Sequence, residues 1–263
     1  MSSQVIAIAE ADLTQPERQK VLLERINLDG RVIAARVATE LRVSEDTIRR
    51  DLRELADAGL VQRFHGGAIR RATVAHGFVE RLSSDAPAKS ALAERALPLI
   101  RPGMVVLIDQ STTLLALARL LSRVVDITVV TPAPDIALAA LDSGVRDVVQ
   151  IGGKIDSATR SASGAAALEA IGRLRPDICF LGICALDAVA GITAIDHDDS
   201  HLKRAMLMAS AKVVALVTAD KIGTTSPYKV GNLSDLDCLI APAGVPEALV
   251  QTCRAAGVEV DLA

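Results

Sequence analysis

The sequence predicts an α/β protein in two parts: a small winged helix-turn-helix, then a larger Rossmann-like sheet covered by helices. Three observations predict it. Val43 to Gly67 reads as a capped amphipathic helix followed at once by a short basic hairpin. From about residue 91 onward, short apolar strand signals alternate with helical ones, the pattern of a parallel sheet. The core must also be built from Ala, Val, Leu and Ile, since aromatic residues are 2 % of the 263 and Trp is absent. Such residues suit strands buried on both faces.

In the first part, Arg18 to Asn27 carries Val21, Leu22 and Ile26 on one helical face, and Ala34 to Leu41 reads as a second, short helix. Arg42 and Val43 form the tight connection to the third helix. There Ser44 is a good N-cap, Glu45 and Asp46 sit where the macrodipole favours carboxylates, and Gly59 stands where a helix ends in a left-handed residue. Ile48, Leu52 and Leu55 recur at helical spacing as a buried stripe. Asp46, Arg50 and Arg53 point away from that stripe, with Thr47 and Arg49 on its flanks. Leu60 to Phe64 has strand character and His65-Gly66-Gly67 turns the chain back, which makes a wing.

In helix-turn-helix modules the last helix reads base edges with its N-terminal residues. Ser44, Thr47, Arg49, Arg50 and Arg53 are therefore the candidate DNA contacts on the helix, and Arg63 and His65 those on the wing. Charge agrees. Arg18 to Arg71 holds twelve Lys/Arg against eight Asp/Glu, while the whole chain holds 29 against 32. A basic module on an acidic chain is the footprint of a nucleic-acid partner. A solvated arginine face on an ordinary amphipathic helix is the plainer reading of the helix alone; the helices before it and the wing after it weigh against that.

These residues resemble the DeoR family of bacterial transcriptional regulators. The likeness is carried by Arg18-x-x-x-Leu22, then Ser44-x-x-Thr47-Ile48-Arg49-Arg50-Asp51-Leu52, then His65-Gly66-Gly67-Ala68. It implies a winged helix-turn-helix that binds double-stranded operator DNA, usually as a repressor of sugar or nucleoside catabolic genes.

The domains are expected at 14–71 and 91–263, joined by a linker at 72–90 that contains Gly77, Ser83, Ser84 and Pro87. In the second domain, strands are expected at Val105–Ile108, Ile127–Val130, Val148–Ile151, Ile178–Leu181, Val213–Val217 and Leu236–Ile240. Helices are expected near Thr112–Leu121, Asp135–Leu141, Ala165–Leu174, His201–Ala211 and Pro246–Ala256. Sheets of this kind bind ligands at the carboxyl ends of their strands.

Polar residues gather at those ends. Asp109, Ser111, Thr112 and Thr113 follow the first strand and open a helix, whose free N–H groups suit an anion. Gly152-Gly153-Lys154 follows the third strand, Asp187 the fourth, Lys203 lies early in a helix, and Lys221 follows a later strand. Lysines, a hydroxyl-rich helix start and two carboxylates suit a phosphorylated sugar, with phosphate on the N–H groups and lysines and with Asp109 and Asp187 at its hydroxyls. Each feature also has a plain reading: Ser-Thr-Thr as a cap, Gly-Gly as a turn, the lysines as solvated.

The resemblance extends over nearly all the chain. Asp109–Thr113, Gly152-Gly153, Ala185-Leu186-Asp187, the stretch to Lys203, and Asp220–Gly223 stand where the family's sensor domain places its motifs. That domain is related in fold to ribose-5-phosphate isomerase and glucosamine-6-phosphate deaminase. Ser111 and Ala185 each replace a usual glycine, which narrows backbone approach and restricts φ.

Other classes are constrained. No apolar run approaches the roughly 20 residues of a membrane helix, and Met1 to Leu13 lacks the basic start of a signal peptide, reading instead as a flexible tail. The four cysteines have no C-x-x-C spacing, and Cys179 and Cys238 sit in apolar runs. Asp196, His197, Asp198, Asp199 and His201 invite a metal but equally suit a loop ahead of a helix, so no metal and no cofactor is assigned. The reading is a cytoplasmic repressor, a homodimer or homotetramer, controlled by a sugar phosphate. The alternatives are a DNA-binding regulator without an effector, and a sugar-phosphate isomerase or deaminase that uses Asp109 or Asp187 as base.

Overall fold

The structure is a computed structural model and describes residues 13–72 and 77–263. Most of the predicted tail, Met1 to Leu13, therefore lies outside the described residues. The chain divides into two compact units, 1–71 and 72–263.

The first unit runs α1 (Gln15–Asp29), β1 (Arg31–Ile33), α2 (Ala34–Glu40), α3 (Glu45–Asp57), β2 (Val61–Phe64) and β3 (Gly67–Arg71). Thr14 opens α1 with a capping box, its N–H bound by Glu17. Ser44 caps α3, its hydroxyl accepting the Thr47 N–H at 3.1 Å, and Gly59 follows α3 at φ 74°. β3 pairs antiparallel with β2 on one side and β1 on the other, so the wing is anchored to a strand that the sequence did not announce. Leu22, Ile26, Val32, Val37, Ile48, Leu52, Leu55 and Val61 form one small core. Asp51, on the buried side of α3, is fully enclosed and bound by Arg18 of α1, Nε to Oδ2 at 2.8 Å.

The second unit begins with α4 (Phe78–Ser83) and α5 (Ala86–Ala96), helices that run through the stretch expected to be a linker. There follow β4 (Val105–Ile108), α6 (Thr112–Arg119), β5 (Thr128–Thr131), α7 (Pro134–Asp142), β6 (Asp147–Gln150), β7 (Lys154–Asp156), β8 (Ser161–Ser163), α8 (Ala165–Gly172) and β9 (Ile178–Gly182). The remainder is β10 (Ala185–Asp187), β11 (Gly191–Ala194), α9 (His197–Ala209), β12 (Val213–Leu216), β13 (Thr224–Thr225), β14 (Tyr228–Gly231), β15 (Cys238–Ala241), α10 (Glu247–Ala255) and β16 (Glu259–Leu262).

The main sheet has seven parallel strands in the order β6-β5-β4-β9-β12-β15-β16. Each central strand is apolar throughout because it has two faces to bury. Val106 and Ile108 of β4 pack with α5, α6 and α7, while Leu107 packs on the other side with α8, α9 and α10. A hairpin of β7 and β8 and a small antiparallel sheet of β10, β11 and β14 complete the unit. No helix among the described residues is long and apolar enough to cross a membrane.

Candidate DNA interface and candidate ligand site

The outward side of α3 presents Asp46, Arg49, Arg50 and Arg53, all exposed, because Ile48, Leu52 and Leu55 take the opposite side into the core. Arg63 and His65 of the wing are exposed too. Arg49, Arg50 and Arg53 line one concavity of about 520 Å³ together with Arg63, Phe64 and His65. Gly67, where the wing returns to pair with β1, has no room for a side chain: a Cβ there would lie 2.0 Å from the Val32 carbonyl oxygen. The helix arginines differ in their partners. Arg49 pairs with Glu45 one turn back at 2.7 Å. Ser44 and Thr47 are tied to each other, hydroxyl to hydroxyl at 2.8 Å, so Ser44 acts first as the cap. The concavity brings positive charge from two elements to one surface, which suits a polyanion.

In the second unit the loops after β4 and β9 meet where the strand order reverses, between those two central strands. Asp109 ends β4 and is fully buried. One of its oxygens accepts the Gln110 N–H at 2.8 Å, and the other accepts the Gly182 N–H at 2.9 Å and the Lys203 ammonium. Lys203, carried into the sheet by α9, also donates to the Gly182 carbonyl at 2.9 Å and lies 3.7 Å from Asp199, four residues earlier on the same helix. Asp199 in turn accepts from the Gln110 side chain and from the Cys184 thiol at 3.7 Å.

This is a closed charge network. Burial pushes the Asp109 carboxyl up to about 6, against the opposing pull of Lys203. Burial works against the Lys203 charge, but Asp109 and Asp199 outweigh it and raise its pKa above the ordinary lysine value. Burial likewise pushes the Cys184 thiol up to about 11. Gly182 must be glycine here, since a Cβ would lie 2.7 Å from the Gln110 carbonyl oxygen and 2.9 Å from the Ser111 Cβ.

Asp109 and Asp187, expected at ligand hydroxyls, both hold hydrogen bonds within the fold. Asp109 is engaged as described, and Asp187 Oδ1 accepts the N–H groups of Val189 at 2.8 Å and Ala190 at 2.9 Å, closing the turn between β10 and β11. Ser111 is the N-cap of α6, accepting the Leu114 N–H at 2.9 Å. Its φ of −172° is extended backbone that any residue adopts, so replacing glycine here imposes no strain. Ala185 is buried in β10, paired with Thr193. Thr112 and Thr113 are buried in the first turn of α6.

Gly153 has φ 150° and leads into the β7–β8 hairpin, where a Cβ would meet the Ser163 carbonyl at 2.8 Å; Gly152 has open space around it. Lys154 is exposed on that hairpin, and Lys221 pairs with Asp220 at 2.9 Å. Of the nominated residues, then, Asp109 and Lys203 meet directly, while Asp187 at the end of β10, Lys154 at the start of β7 and Lys221 stand elsewhere in the same unit.

Gln110 and Cys184 lie in loops expected at the ligand site but are not nominated individually, and Asp199 is expected only in a loop ahead of a helix; all three belong to the network. The spacing of Asp199 and Lys203, one helical turn apart, was the available signal. Asp196 is the N-cap of α9, accepting the Asp199 N–H at 2.9 Å, and the His197 and His201 Nε2 atoms lie 3.2 Å apart. Among the described residues no group of three or more His, Cys, Asp or Glu is gathered as a metal site.

Comparison with known proteins assigns a family to each unit. Residues 18–74 match the DeoR-like helix-turn-helix domain, and residues 84–242 match the DeoR C terminal sensor domain. The chain is 32 % identical over 251 residues to an HTH-type transcriptional regulator, GlpR, of Haloferax volcanii, covering 93 % of this chain and 96 % of that protein. It is 27 % identical to the glycerol-3-phosphate regulon repressor of Escherichia coli, covering 95 % of this chain and all of the other. Among solved structures, ribose 5-phosphate isomerase A from Methanocaldococcus jannaschii is a partial likeness, with 14 % identity, a TM-score of 0.40, and coverage of 53 % of this chain and 55 % of that one. The chain belongs to the DeoR family and is a DNA-binding transcriptional regulator.

Proposed function

We propose that this regulator is a cytoplasmic repressor of a carbohydrate catabolic operon, and that a phosphorylated sugar bound by its second unit lowers its affinity for operator DNA. The observation that carries the reading is the meeting of the β4 and β9 loops at the reversal of strand order, the place where doubly wound sheets take ligands. The start of α6 offers backbone N–H groups there, beside the buried network of Asp109, Lys203 and Asp199. The E. coli relative is by name a repressor of a regulon of a phosphorylated polyol, which supports the chemical class. On the DNA side, Arg50, Arg53, Arg63 and His65 contact the operator, with Ser44, Thr47 and Arg49 setting the helix start. A homodimer or homotetramer places two such helices on paired half-sites.

Such a switch requires the sugar phosphate to bind one conformation better than the other. Fluorescence anisotropy of labelled DNA from the regulator's own upstream region, with and without a panel of sugar phosphates, tests it. Release of DNA by one panel member is the expected result, and retention with every member overturns effector control.

One observation favours a second reading, a regulator that binds DNA without an effector: the Asp109–Lys203 network is satisfied internally. The same panel decides between the two. An enzymatic reading has less support, because a general base must reach its substrate and both nominated carboxylates are engaged in the fold.

A further inference from the structure

Two exposed histidines, His197 and His201, stand four residues apart at the start of α9, one above the other on the helix surface. Their Nε2 atoms face each other at 3.2 Å. At the other ring nitrogen of His197, Nδ1 lies 3.2 Å from a carboxylate oxygen of Asp198. The Tyr228 ring of β14 stands edge-on to the same imidazole, centres 5.4 Å apart and planes at 82°. The His197 ring is therefore held by two neighbours, with Nε2 left toward His201.

An ionised carboxylate only accepts hydrogen bonds, so Asp198 places the His197 proton on Nδ1. The Nε2 lone pair is then free to accept or to bind an ion. Two neutral imidazoles in water gain little from bonding to each other, because each exchanges a bond to water for it. A shared ion gains more, and the spacing suits one. Two imidazole nitrogens about 2.0–2.1 Å from one ion, at four- or six-coordinate angles, stand about 2.8–3.4 Å apart. The 3.2 Å between these Nε2 atoms falls in that range. A carboxylate on the remaining ring nitrogen is the usual companion of a metal-binding histidine.

We propose that His197 and His201 form a two-imidazole site for a divalent transition ion, Ni²⁺, Cu²⁺ or Zn²⁺. The site is independent of the effector reading. Its donors select the ion: Mg²⁺ and Ca²⁺ take oxygen ligands, while imidazole suits the later transition ions. The positive end of α9 opposes a cation, and Asp196 and Asp198, both exposed there, offset it. Among the described residues no group of three such ligands is gathered, so water completes the coordination. The ion braces the turn that carries Asp199, and its binding to the folded chain stabilises that chain.

The test uses the untagged full chain, stripped with a chelator, in calorimetric titrations with Ni²⁺ and Zn²⁺, with Mg²⁺ as the control. Wild type is expected to bind one Ni²⁺ or Zn²⁺ per chain and to give no heat with Mg²⁺. Asp198→Asn keeps both ligands and is expected to weaken binding about tenfold, the smaller loss typical of an outer partner. His197→Gln and His201→Gln each remove a ligand outright and are expected to weaken it further. Electron paramagnetic resonance of the Cu²⁺ form counts the bound nitrogens, two in wild type and one in either histidine variant. Wild-type binding that both histidine variants retain belongs to another part of the chain and overturns the site. Failure of wild type to bind Ni²⁺ or Zn²⁺ overturns it too, and leaves the histidine pair as a plain hydrogen bond. Both histidines are exposed, so their variants are expected to fold, and circular dichroism checks that they do. If one does not, the other decides.

Discussion

The two units handle charge in opposite ways. In the first, Arg50, Arg53, Arg63 and His65 stand in solvent around one concavity, and the carboxylate that is buried, Asp51, is matched by Arg18. In the second, Asp109, Asp199 and Lys203 are buried together and satisfy one another. The difference fits the partners proposed for the two units. Binding DNA exchanges counterions for side chains, so its charges must be exposed and individually cheap to present. A small-molecule site works by fixing charges in a low-dielectric interior, where each must already be compensated. Removing a charge should therefore damage stability in the second unit and binding in the first.

The sharpest way to break this contrast is Lys203→Met. It leaves two buried carboxylates facing each other, and loss of about 3–5 kcal/mol of stability is expected. Denaturant unfolding followed by circular dichroism measures it; a loss no greater than that of an exposed lysine would show that the network is not a buried charge system. The pH profile carries the same information. The Asp109 carboxyl is raised to about 6 in the folded chain, so its contribution is full below the ordinary carboxylate value near 4 and is lost as pH rises through about 6. Lys203 is raised as well, so its contribution is full below about 10.4 and fades at higher pH. Asp109→Asn should flatten the profile between about pH 4 and 6, and an unaltered slope there would remove Asp109 as its source.

The contrast was unevenly legible in the sequence. The α3 surface was readable because helical periodicity and caps are local: Ser44, Ile48, Leu52, Leu55 and Gly59 announce the helix without reference to anything distant. The strands of the main sheet were largely readable for the same reason, although β16 was not, nor were β1, β7, β8, β10, β11, β13 and β14, which lack the continuous apolar run of a strand buried on both faces. The network was not readable as a network. Asp109 and Lys203 were each nominated, but their pairing spans 94 residues, and Gln110 and Asp199 join them only through the tertiary fold. The Arg18–Asp51 pair was hidden likewise, although both residues stood in the motif that carried the family likeness.

In the first unit the matching prediction is Arg50→Ala. Operator binding should weaken by about 1–3 kcal/mol if Arg50 reads a base, with stability changed by less than about 0.5 kcal/mol, as for surface substitutions generally. A competition assay against non-specific DNA distinguishes base reading from phosphate contact. Arg63→Ala, on the wing, should weaken all sequences alike and reduce the salt slope of binding by about one. An Arg50→Ala variant that unfolds readily would contradict the exposed, separable role of these charges.

The smallest effect is the most discriminating. Ser111→Gly restores the residue that the family usually carries at the mouth of α6. Ser111 caps the helix, and glycine is itself an acceptable N-cap, so the cost is a few tenths of a kcal/mol. Its extended backbone at φ −172° needs no glycine, so no strain is released. A serine that is purely a cap predicts unchanged thermal stability within about 0.5 kcal/mol and unchanged sugar-phosphate affinity by titration. A tenfold change in affinity in either direction would assign Ser111 to the ligand instead.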